Sequence, residues 1–515
     1  MGCPNRTPPS STESNRCAPG RGPTLRPRTN SLRTLLALLT AAQFLVMFSA
    51  ANINIVLPEI GEAMNLSPVQ LSWVVSAYVL AVAALLLPAG VVMGTIGRRR
   101  LLLTGLAVMG GASLLAGLAD GTGTLITARA LQGAGAALVE PAVLCLLLTL
   151  FPESLRSRAL GSVGAAAALG GGAGVLAGGL VTEAVGWRGI FFVTASLPLL
   201  LALACLRGVP ASGERGGSLS RHDLKAVVLM PGGLLLLAFG MTEAGRSGGT
   251  PAALVPLGTG ALLLAMFAAA ERRGNRPLLP LRRLTSGIAG FANLGTAVMG
   301  MVVTGMFFFL SLYQQQILGD GPRAAALCQI PLSVAGALGC TLTPRIVRRT
   351  GPRTALELGL VLLAVGLLWL GRAPGEGTFV QEALAPSLLI GAGMGISFVR
   401  LTHMATAGIP SEDSGRASGL VTTARMTGGV FGLALLTSLA ASTTSGADPL
   451  TSEVQALHEG YRATFSVLGL IVFATALLFL GVFSRSGRGP KSPGSGPGEP
   501  NGTAEGPALH RARAR

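Results

Sequence analysis

Fourteen runs of apolar residues, each long enough to cross a bilayer, divide this chain. They fall near 34–57, 71–94, 101–119, 125–148, 159–182, 187–206, 225–244, 251–270, 287–313, 324–343, 354–372, 383–405, 416–441 and 462–483. About 20 helical residues cover the hydrocarbon core of a membrane. Inside that core every backbone polar group must be satisfied by protein, which leaves only helices or a closed barrel. Runs of this length predict helices, so the chain is expected to be an all-α polytopic membrane protein. The composition agrees: 12% of residues are charged, where a soluble domain carries about a quarter.

An even number of spans puts both termini on one side. If that side is the cytoplasm, the outside loops hold only Arg188, Arg246, Arg323, Arg372 and Arg462, while Arg129, Arg400 and Arg425 lie inside spans. Every other lysine and arginine then falls inside, as the positive-inside rule requires. The net charge of +17 therefore reads as an orientation signal, and no nucleic-acid partner is expected. The six cysteines form no CxxC pair and the four histidines lie far apart, so no disulfide framework, metal site or cofactor is expected. Residues 1–33 have no apolar core and read as a disordered cytoplasmic tail rather than a signal peptide. Residues 484–515 read as a second such tail.

The chain also repeats itself. Gly97, Arg99, Leu102, Gly105 and Leu106 line up with Gly351, Arg353, Leu356, Gly359 and Leu360. The first set joins spans 2 and 3, the second spans 10 and 11. Spans 1–6 would then match spans 9–14, with spans 7 and 8 inserted. Repeated halves around a central site are a common plan for secondary transporters.

Span 4 is the most informative segment. It is apolar but carries Arg129, Gln132 and Glu140. Ionisable groups at membrane depth are costly and normally face a cavity or a partner. Arg129, Gly133, Ala136 and Glu140 lie along one helical stripe. At 1.5 Å per residue Arg129 and Glu140 stand about 16 Å apart, too far for a direct ion pair. In span 5, Gly170, Gly174 and Gly178 recur every fourth residue and form a smooth face for close helix packing.

These motifs resemble those of a major facilitator superfamily transporter, of the fourteen-span drug:proton antiporter type, over residues 34–483. Arg129, Gln132, Gly133 and Gly135 are similar to that family's RxxQGxG motif, whose arginine is associated with proton transfer. Span 5 resembles its glycine-rich exporter motif, with Val175 where the family has proline. The loop at Gly90, Gly97, Arg98 and Arg99 resembles the superfamily's signature loop, which stabilises one conformation, but Gly94 stands in place of its aspartate. Span 1 resembles the antiporter motif at Asn54, Leu57 and Pro58, with Ser49 in place of the acid. Arg425 in span 13 resembles a family arginine, and Tyr313 with Gln314 the end of span 9. Trp187-Arg188 resembles the start of span 6.

The resemblance implies a major facilitator fold: a six-helix bundle over 34–206, inserted helices over 207–286, and a second six-helix bundle over 287–483. It implies export of a small lipophilic compound, an antibiotic or other natural product, by proton antiport with alternating access, from a monomer in the inner membrane with both termini cytoplasmic. Arg129, Glu140 and Gln132 are the candidates for proton coupling. Glu140, which precedes Pro141, is the leading carrier. Ser49, Asn52, Asn54, Arg425, Arg400 and Tyr313 are the candidates for the substrate cavity, and the missing acids favour a neutral or anionic compound. Arg400, near the inner end of span 12, is also placed to snorkel to the interface. A proton-independent facilitator or importer, and a transport-inactive membrane sensor, are the alternatives. With no P-loop, HExxH or GxSxG motif in the chain, an ATP-driven pump or a hydrolase is not expected.

Overall fold

The computed structural model describes residues 29–210, 221–247, 251–273, 287–406, 414–445 and 452–486. Most of both expected tails lies outside the described residues. Among the described residues every regular element is helical. Among the described residues thirteen helices carry an apolar window of spanning length. Span 7 is also a helix, Arg221–Ser247, but its apolar stretch is only Val228–Met241. Charged residues bound it, with Asp223 and Lys225 before and Glu243 and Arg246 after.

The helices pack as the repeat requires. Span 1 lies against span 5, span 2 against span 4, and span 3 against spans 4 and 6. In the same way span 9 lies against span 13, span 10 against span 12, and span 11 against spans 12 and 14. Spans 7 and 8 pack on each other, and span 7 rests on spans 2 and 13.

The short sequence repeat is matched in backbone detail. Gly97 has φ 86° and ψ 153°; Gly351 has φ 86° and ψ 163°. This left-handed conformation favours glycine. It turns the chain between consecutive helices while each glycine's N–H still donates one turn back, to the Met93 and Val347 carbonyls. Two residues on, Arg99 donates to the Leu206 carbonyl at the end of span 6, and Arg353 donates to the Phe483 carbonyl at the end of span 14. Gly105 and Gly359 both lie where their helices press on the next span.

The two halves meet unevenly. On the face opposite the Arg98–Arg100 turn, the Gln315 side chain donates to the Ile55 carbonyl across the halves at 3.0 Å. Nearby, Gly179 of span 5 has no room for a Cβ against Pro322 and Ala326 of span 10. Val175, one turn along, joins Ile55, Ala325 and Ala326 in a small buried cluster. Gly172 and Gly161 lie about two and five turns from Gly179 on the same stripe. Both face open space. The halves are therefore closed on the far face, joined at mid-depth where span 13 packs on span 2, and apart where span 5 nears the arginine-rich face.

Candidate functional site

Arg129 is 1% exposed and sits at the centre of a hydrogen-bond network that joins four spans. Its Nε donates to the Val74 carbonyl of span 2 at 3.1 Å, and its Nη1 to the Ser49 carbonyl of span 1 at 3.3 Å. Nη1 also reaches the Gln132 side-chain oxygen one turn on. Gln132 in turn donates to Ser113 Oγ of span 3 at 2.6 Å, and Ser113 to the Met109 carbonyl. The guanidinium lies 4.6 Å from the centre of the Tyr78 ring, whose hydroxyl donates to the Val46 carbonyl. The glycines of the motif make this possible. Gly133 lies directly on the Tyr78 backbone, and Gly135 on Gly105 and Met109, so neither position has room for a side chain. Acceptors on spans 1 and 2 are thereby brought within reach of the guanidinium, and Ser113 of span 3 within reach of Gln132.

All of the hydrogen-bond partners of Arg129 are neutral. The cation is satisfied by carbonyls, an amide and a ring face, at a depth where a lone charge is costly. Ser49, which stands where an acid is usual in the resembling transporters, serves Arg129 through its backbone. Its Oγ is buried without a partner, as is Asn54 Oδ1. Asn54 Nδ2 bonds locally to the Ala51 carbonyl. Asn52 sits at the break between the helices Thr29–Ala51 and Ile53–Met64, also buried. All three are buried and do not open onto the space between the halves.

Glu140 does. It is partly exposed and makes no hydrogen bond or ion pair among the described residues. Its electrostatic neighbours are Arg425 of span 13, in the other half, and Tyr78. Arg425 is also partly exposed, with its guanidinium 5.9 Å from the centre of the Phe398 ring. Arg129 and Glu140 share a stripe but serve different partners: Arg129 staples the first half, while Glu140 faces the second.

The remaining candidates lie elsewhere. Arg400 is 8% exposed and its Nε donates to the Pro352 carbonyl at the start of span 11, so it bridges two helices instead of snorkelling. Tyr313 is at the far face, and its hydroxyl donates to Glu382 at 2.5 Å. Gly90 and Gly94 are exposed with open space around them, while Gly97 and Arg99 form the turn described above. Arg98 lies one residue past that turn, at the start of Arg98–Gly117. Gly170, Gly174 and Gly178 lie directly on the Phe44, Phe48 and Asn52 carbonyls of span 1. The glycine face is thus the packing seam within the first half.

Several acids escaped the sequence reading, Glu382 and Glu59 among them. Glu382 accepts from Tyr313 Oη and from the backbone N–H groups of Gly375, Glu376 and Gly377, at 2.5, 2.9, 3.0 and 2.5 Å. Burial pushes its carboxyl up, but these four donors outweigh burial and hold it below the usual carboxylate range. The Gly375-Glu-Gly377 loop was the available signal, since consecutive free N–H groups make an anion nest. Glu59 caps the helix Trp187–Gly208 by accepting from the Trp187 N–H at 3.0 Å. There Arg188 stacks 4.3 Å from the centre of the Trp187 ring and donates to the Ala119 carbonyl, which explains the Trp-Arg pair at the start of span 6.

Comparison with known proteins agrees with this architecture. The family described as the Major Facilitator Superfamily matches residues 39–433. The chain is 35% identical to the puromycin resistance protein pur8 of Streptomyces alboniger, over 88% of this chain and 91% of that one. It is also 35% identical to the cephamycin export protein CmcT of Amycolatopsis lactamdurans, over 88% and 92%. Among solved structures, it resembles a bacterial homologue of the human lysosomal transporter Spinster, with a TM-score of 0.68 and 15% identity, covering 91% of this chain and 100% of that one.

Proposed function

Because the chain belongs to the Major Facilitator Superfamily, we propose that it exports a small antibiotic-like compound across the bacterial inner membrane in exchange for protons. The relatives support the direction and the class of cargo, being named for puromycin resistance and cephamycin export. The distribution of arginine supports a cytoplasmic arginine-rich face, with both termini inside. On that orientation the observed state is open to the cytoplasm, ready to load cargo. The working units are the bundles 34–206 and 287–483, which rock about the space between them, with 207–286 as an accessory pair.

The observation that carries the proton is Glu140. It is a carboxylic acid at membrane depth, without a hydrogen-bond partner, on the wall that one half presents to the other. Such a group can take a proton from one side and give it to the other as the halves rock. Arg129 organises the wall behind it. The acids missing at Ser49 and Gly94 support a second reading, a facilitator that moves its substrate without protons.

Proteoliposomes with an internal pH dye separate the two. Under an imposed pH gradient, puromycin or a cephamycin is added to wild type and to Glu140→Gln. Substrate-dependent proton movement that the variant loses supports antiport through Glu140. Proton movement that survives in the variant places the carrier elsewhere. Substrate flux with no proton movement identifies a facilitator.

A further inference from the structure

We propose that Glu140 and Arg425 form a charge latch between the halves, which draws the arginine-rich face shut when Glu140 is ionised and releases it when Glu140 is protonated. The latch rests on the reading of Glu140 as proton carrier and adds how the proton moves the protein.

The first support is position. Glu140 lies in Thr122–Leu150 and Arg425 in Ser414–Ser445. Each is displaced from the middle of its helix towards the arginine-rich face, by about 6–7 Å at 1.5 Å per residue. That is the side on which the halves stand apart. The halves touch on the other side, at Gln315 with Ile55 and at Gly179 with Pro322, and also at mid-depth, where Met426 and Val430 of span 13 pack on Leu80, Ala83 and Ala84 of span 2. Rocking that closes the open face would draw Glu140 and Arg425 closer. Here they interact electrostatically but no ion pair joins them.

The second support is asymmetry. Packing sets the correspondence between the halves. Gly135 lies on Gly105 and Met109 as Gly393 lies on Gly359 and Leu363. Gly170 and Gly174 lie on Phe44 and Phe48 as Gly428 and Gly432 lie on Ala297 and Met301. Counting from these anchors, the counterpart of Glu140 is Phe398, and the counterpart of Arg425 is Ala167. The two charges are therefore not part of what the fold repeats. Each half contributes one sign, and the Phe398 ring flanks the Arg425 guanidinium.

Few other charges interfere. Among the described residues, Arg425 of span 13 acts on Glu140, and Tyr78 of span 2 feels both Glu140 and Arg129. Arg129 is committed to its own half by its hydrogen bonds. The loop around Gly94 has no acid with which to hold that face shut. A proton arriving from outside binds the Glu140 carboxylate and cancels its attraction for Arg425, and the inner face reopens. Release of that proton inside restores the attraction.

The test uses full-length protein in liposomes, with its native cysteines replaced and spin labels at Leu155→Cys and Thr350→Cys. These exposed positions lie on opposite halves at the arginine-rich face. Distances are measured at pH 5.5 and 8.5. A coupling of this kind is worth roughly 5- to 150-fold, so the closed fraction should rise at least about fivefold with pH. Glu140→Gln and Arg425→Gln should stay open at both pH values. Arg425→Lys should close like wild type, and the exchanged pair Glu140→Arg with Arg425→Glu should close again. Pronounced pH-dependent closure in Arg425→Gln, or failure of both Arg425→Lys and the exchanged pair, overturns the latch. The pH-dye assay keeps the two ideas apart. If Glu140→Gln loses proton movement while Arg425→Gln closes normally, the carrier stands and the latch falls. If closure needs both charges while proton movement survives in Glu140→Gln, the latch stands and the carrier falls.

Discussion

Glu382 is expected to pin the far face of the second half, and replacing it tests that directly. Its carboxylate is 8% exposed and gathers four donors: Tyr313 Oη at the end of span 9 and three consecutive backbone N–H groups ahead of span 12. Glu382→Gln keeps the size and one acceptor oxygen but presents an amide to N–H groups that cannot bond to it. At least two donors lose their partner; water reaches the part-buried backbone N–H groups and softens the loss, so the variant should lose about 1–3 kcal/mol of stability at neutral pH. A denaturant titration in detergent micelles measures the difference. The pH dependence has a definite sign. The four donors hold the folded carboxyl below its ordinary range, so its stabilisation is fully present above that range and fades as the pH falls through it. The gap between wild type and variant should shrink below pH about 4. Equal stability at pH 7, or a gap unchanged at acid pH, would refute the claim that the ionised carboxylate organises this loop.

Two further outcomes are expected. Gly174→Leu drives a side chain into the Phe48 carbonyl of span 1; overpacking of this kind costs about 1–3 kcal/mol, to be read as a lowered melting temperature in micelles. Ser49→Asp puts a carboxylate beside the Arg129 guanidinium, which now bonds the Ser49 carbonyl. It should raise relative transport of cationic over neutral compounds, measured by competition uptake in inverted vesicles, and an unchanged ranking would show that charge at position 49 does not reach the cargo.

How much could be read beforehand depended on whether the physics is local. A helix in a bilayer must satisfy its own backbone, so length and hydropathy alone locate the spans. Span 7 is the least apolar of them because charges bound Val228–Met241 closely. The repeat at Gly97 and Gly351 was legible because a left-handed turn needs glycine at both places. The stripe of span 5 was legible as a close contact, since glycines four apart leave one face bare, but not its partner, span 1. Tertiary partners were invisible for the same reason in span 4. Helical phase puts Arg129 and Glu140 on one line. It says nothing of Val74, Ser49 and Tyr78 closing round the first, or of Arg425 facing the second.

That last separation changes what the polar residues of span 4 mean. A continuous seam from Arg129 to Glu140 would make the helix a path for charge along its own length. The hydrogen bonds instead bind Arg129 to spans 1 and 2, and through Gln132 to span 3, and leave Glu140 unbonded. A guanidinium that moved would abandon buried carbonyls at about 1–3 kcal/mol each. A carboxyl without a partner leaves no such debt when it gains or loses a proton. Arg129 is thus suited to stay still, and Glu140 to change state. Because the cation nearest in effect to Glu140 sits on the opposite half, a change in its charge acts between the halves, where it can shift their equilibrium, rather than within one helix, where it could not.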